Sequence, residues 1–71
     1  MFASWVQGAS AYFTAAGIPP ARARSLAFTM LSLLEGAFIF CRAMRSTEPL
    51  AAAGASAVAA VRAELPASVQ A

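Results

Sequence analysis

The run Ser25–Met44, SLAFTMLSLLEGAFIFCRAM, decides the fold. It holds no proline, and its single glycine, Gly36, stands alone, so nothing in it interrupts a helix. At about 100° per residue the helix separates into three faces. One is strongly apolar: Leu26, Met30, Leu33, Leu34, Ala37, Cys41 and Met44. A second is small: Ser25, Thr29, Ser32, Gly36 and Ala43. The third mixes large apolar and charged groups: Arg24, Phe28, Leu31, Glu35, Phe38 and Arg42. A helix on the surface of a monomer shows a clear polar half, and this one does not. It is expected to be surrounded on most sides. Its apolar face should meet the chain's own core, and its small face suits close approach of another helix.

Two more helices follow on either side. Upstream, Phe2, Trp5, Val6, Ala9, Tyr12, Phe13 and Ala16 recur at three- and four-residue steps, predicting a helix over 2–16. Gly17 can take the left-handed conformation that ends it. Pro19 pushes Ile18 toward extended geometry, and Pro20 suits the first turn of the central helix, read over 20–45. Downstream, Thr47 is the expected N-cap and Pro49 falls in the first turn. A third helix over 48–65 carries one narrow stripe: Leu50, Gly54, Ala57, Val58, Val61 and Leu65. Pro66 ends it, and residues 66–71 are expected to fray. No β-branched alternation and no Asn-Gly or Asp-Gly turn occurs. The fold class is therefore all-α, three helices in one small domain.

Composition narrows the function. A core built from 71 residues is marginal unless a disulfide, a metal or a partner chain supports it. Cys41 is the single cysteine, so an internal disulfide is excluded. There is no histidine, and Glu35, Glu48 and Glu64 are far apart, so no metal or other cofactor is expected. Association with another chain remains as the staple. The five basic residues are all arginines, spread along the chain, and make no nucleic-acid footprint. A lone cysteine fits a reducing cytoplasm. Met1–Ala16 has no basic start and is interrupted by Gln7, Gly8 and Ser10, unlike a signal peptide.

Catalysis finds no residues. There is no His, Asp or Lys, so no acid/base pair forms locally and no base activates Cys41. Cys41 reads as a small buried hydrophobe. Glu35 is the most informative residue, because it sits among Leu33, Leu34, Ala37 and Phe38. A carboxylate there needs a partner or water. It either caps or bridges to an arginine, such as Arg24 or Arg42 on the same face or one from a neighbouring chain, or it lines a ligand pocket or polarises a bound cationic molecule. The aromatic residues are either plain core or the lining of an apolar cavity.

Leu26–Met44 is also long enough to approach a membrane span. Its eight Leu, Ile and Phe residues favour insertion by at most ~0.3–0.6 kcal/mol each, whereas a mid-span acid costs ~2.5–3.5 kcal/mol. With Glu35 at the centre the sum is near zero. Arginines on both sides leave orientation unspecified, which leans against a small single-span membrane protein.

The run Leu34-Glu35-Gly36-Ala37, then Arg42, Arg45-Ser46 and Pro49-Leu50, resembles the C-terminal domain of TetR-family transcriptional regulators. Ala15-Ala16-Gly17 ahead of the long helix, and Trp5 in the helix before it, fit the same pattern. The resemblance implies a cytoplasmic, non-enzymatic repressor fragment. The last two helices would form an antiparallel hairpin that pairs with its twofold mate as a four-helix bundle. The homodimer interface would then use Ser25, Thr29, Ser32, Gly36 and Ala43, with Leu50, Gly54, Ala57, Val58 and Val61 of the third helix. A small hydrophobic effector would meet Trp5, Tyr12, Phe28, Glu35 and Phe38. Operator DNA would be bound by a helix-turn-helix domain missing from these residues, since no segment here has that form.

Overall fold

The structure, a computed structural model, describes residues 1–67. It is all-α, as expected, with α1 over Phe2–Ala15, α2 over Pro20–Met44 and α3 over Glu48–Glu64. Each boundary lies within one residue of the sequence reading. The expected frayed tail falls mostly outside the described residues.

The turns explain where the helices stop. Gly17 has φ +104°, open to glycine but strained for other residues. The Ile18 N–H donates to the Phe13 carbonyl at 3.1 Å, and the Gly17 N–H to that of Thr14 at 3.0 Å. This is a Schellman ending, whose usual accompaniment is an apolar contact between the residues at its two ends. Here those are Ile18 and Phe13, both buried. Pro19 then caps α2, its carbonyl accepting the Ala23 N–H at 2.8 Å. At the other end of α2, Arg45 is left-handed at φ 50°, and the Ser46 N–H reaches the Cys41 carbonyl at 3.1 Å. An arginine therefore stands where glycine is usual.

Thr47 holds the N-cap position, as expected. Thr47 makes no side-chain cap bond. Its ψ of −2° is far from the extended geometry that aims a cap oxygen at the first turn. The Ser46 hydroxyl takes that role, accepting the Glu48 N–H at 3.1 Å. Leu65 is extended at ψ 145°, as the residue before a proline should be.

α1 and α3 each pack on α2, with much less contact between themselves. The core gathers at one end, from Val6 and Phe13 of α1, Ile18 of the turn, and Ala23, Leu26 and Ala27 of α2. Met30, Leu31, Ala60, Val61 and Leu65 close around it. Ala23 and Ala27 are completely buried, because their small side chains let the helices approach. The expected core face of α2 is only partly used. Leu26 and Ala37 are buried, but Leu34 is 41% and Met44 61% exposed. Length explains this. At 1.5 Å per residue α2 runs about 37 Å and α1 about 21 Å, so α1 leaves the distal half of α2 uncovered.

The chain measures 39 × 31 × 12 Å. Two stacked helix layers, with axes about 8–10 Å apart and Cα radii of about 2.3 Å, would be thicker. The radius of gyration is 13.2 Å, against about 11 Å for a compact domain of this length. The three helices make one thin layer, whereas stable domains usually bury a core between two.

Two substitutions test this description. A Cβ on residue 17 would lie 2.9 Å from the Pro66 Cγ. Gly17→Ala is expected to cost at least about 1–2 kcal/mol from the backbone alone. An unchanged urea midpoint would remove the turn from the account. Ile18, only 1% exposed, closes the core. Ile18→Ala is expected to cost about 2–5 kcal/mol, comparable to the whole stability of a small domain, and to abolish most far-UV helical dichroism.

Candidate pairing faces and effector groove

α2 and α3 run antiparallel. Ser32, Gly36 and Phe40 of α2 share a groove with Pro49, Ala52 and Ser56 of α3. Ser25 and Thr29 share another with Ala60 and Ala63. Four residues of the small face therefore border α3, and Ala43 lies apart, beside Ile39 and Arg42. Ser25, Thr29, Ser32 and Ala43 are exposed, and Gly36 is half-buried. The Thr29 hydroxyl is already satisfied, donating to the Ser25 carbonyl at 3.0 Å, so it makes little further demand on a partner. A Cβ at Gly36 or Gly54 would meet nothing within 4 Å.

On α3, Leu50, Gly54 and Val58 are exposed and Ala57 is half-buried. Val61 is different. It packs against the core of its own chain, leaving only part of its surface for a partner. Large apolar side chains continue the open surface along α2, with Phe38, Ile39 and Phe40 all exposed.

The five expected effector residues do not come together. Phe28 and Glu35 line a groove between α1 and α2, of about 270 Å³, with Phe2, Val6, Leu31 and Ser32. Trp5 reaches it through Phe2, whose ring meets it edge-on at 5.1 Å between centroids. Tyr12 is 75% exposed and packs edge-on against Phe13. Phe38 belongs to a separate open cleft at the α2–α3 turn, with Cys41, Arg42, Arg45, Ser46 and Thr47. Phe2, Val6, Leu31 and Ser32 were not singled out from the sequence for this groove. The available signal was spacing, since Phe28, Leu31, Ser32 and Glu35 follow one another at helical intervals and Phe2 stands four residues from Val6.

Within the chain, Glu35 pairs with neither Arg24 nor Arg42. Arg24 lies instead over the Phe28 ring, 5.2 Å from its centroid. Arg42 lines the distant turn cleft. The one ion pair among the described residues joins Arg22 to Glu64 at 3.6 Å. No three His, Cys, Asp or Glu side chains converge among them. Cys41 is half-buried with a free thiol.

Known proteins bear on this arrangement in one way. A family model described as the transcriptional regulator LmrA/YxaF-like, C-terminal domain, matches residues 1–56. Neither curated proteins nor solved structures give a match. The matched span takes in α1, α2, both turns and the first half of α3. The chain belongs to the family of C-terminal domains of LmrA/YxaF-like TetR regulators.

Proposed function

We propose that this segment pairs the subunits of a TetR-type repressor and contributes one wall of its effector site. The observation that carries the reading is the single thin layer of helices with apolar groups open to solvent along α2 and α3. A second copy laid across these two helices would supply the missing layer and make a four-helix bundle. Ser25, Thr29, Ser32, Gly36 and Ala43 offer the low ridge on which a partner helix seats, flanked by Leu50, Gly54, Ala57, Val58 and the exposed part of Val61. The effector would be a small hydrophobic molecule held in the α1–α2 groove. Trp5, Tyr12 and Phe38 would contribute through neighbouring helices or the partner. Operator DNA would be bound by a helix-turn-helix domain outside these residues. The reading places the protein in the cytoplasm and assigns it no enzymatic activity and no cofactor.

α2 also supports a second reading. It is long and apolar enough to cross a membrane by length and composition. Glu35 near its middle opposes insertion, and membership of a regulator family favours the first reading.

Sedimentation of the 71-residue chain separates the two. The first reading expects a soluble dimer at micromolar concentration; a clean monomer, or recovery only with detergent-solubilised membranes, would defeat it. Gly36→Leu sharpens the test. A side chain there has free space within the chain, and replacing a mid-helix glycine favours the helix by roughly 0.5–1 kcal/mol. Helical dichroism should therefore hold while the dimer dissociates. Unchanged assembly would mean that the small face is not the contact.

A further inference from the structure

Glu35 is the only carboxylate on α2. It stands in the α1–α2 groove, whose other walls are Phe2, Val6, Phe28, Leu31 and Ser32. It has neither an ion pair nor a hydrogen bond among the described residues. Arg42, seven residues on, lines the turn cleft, and Arg24, eleven residues before, lays its guanidinium over the Phe28 ring. That contact shows that the ring attracts positive charge from the same side of the helix.

These groups select by chemistry. An anion is repelled by the carboxylate. A neutral polar molecule finds only Ser32 and Glu35 to bond, among walls that are otherwise apolar. A cation with an apolar body satisfies both parts, since aromatic faces and a carboxylate each attract it. We propose that the groove takes a small apolar cation, a tertiary or quaternary ammonium on an aromatic or branched aliphatic body. The charge lies at Glu35, and the body lies against Phe2, Phe28 and Leu31. The groove, at about 270 Å³, falls just below the roughly 300–1,000 Å³ that holds a drug-sized ligand, so the guest is compact. This inference rests on the groove being part of an effector site.

Trp5 is the single tryptophan and touches Phe2, so its fluorescence reports on the groove. The probes are benzyltrimethylammonium and neopentylbenzene, its uncharged isostere. Benzyltrimethylammonium should shift the Trp5 emission and bind Glu35→Gln about fivefold more weakly, the effect of one solvent-accessible charge pair. Neopentylbenzene should bind both proteins alike. Glu35 is exposed, so the variant should keep its fold, checked by circular dichroism. Arg24→Gln, which frees the Phe28 ring, should tighten the cation; looser binding there would overturn the placement. Equal binding of the cation to wild type and Glu35→Gln would overturn the cation preference and leave the effector groove standing. No response to either probe would count against the groove itself.

Discussion

Everything in this chain follows from one mismatch of length. A 25-residue helix is flanked by helices of 14 and 17 residues, and neither can cover it along its whole run. Where all three meet, at the Ile18 turn, buried side chains of α1, the turn and α2 form a core that half-buried residues of α3 close. Beyond Ala37 the central helix has α3 on one side and solvent on the others. Burial of apolar surface is the dominant favourable term in folding. A layer this thin leaves much of that term unrealised until something is laid against it.

The turns hold the layer in register. Gly17 lets the chain reverse at the end of α1, and Ile18 enters the core directly behind it. Pro66 packs over Gly17, so the end of α3 returns to the start of α2. The distal turn is less economical. Arg45 takes a left-handed conformation that costs a residue with a Cβ roughly 1–2 kcal/mol. Ser46 gives part of this back by capping α3.

The elements were legible because their signals are local. Gly17, Pro19-Pro20 and Pro66 bracket the helices, and three- and four-residue spacings fill them. What depended on neighbours was harder to read. Leu34 and Met44 lie on the apolar face of α2 yet remain exposed, because no periodicity reveals how far α1 extends along it. Thr47 holds the N-cap position that its composition suggested, but its backbone angle leaves the side-chain bond to Ser46. Of the residues expected around an effector, Phe28 and Glu35 share a groove because they share a face of one helix. Tyr12 and Phe38 went elsewhere, since their relation to that face is set by tertiary packing. That Arg24 does not pair with Glu35 follows from spacing, since it stands four residues from Phe28 and eleven from Glu35.

Ser32 lines two grooves at once, the one against α1 and the one against α3. A single side chain is thus a shared wall between two surfaces on opposite flanks of a rigid rod. A guest on one flank that turns the rod, even slightly, alters the shape offered on the other. Thermodynamic reciprocity then requires the converse: whatever settles on the α3 flank changes the guest's affinity by the same factor. Such crosstalk would need no relay of moving parts, because Ser32 belongs to both surfaces.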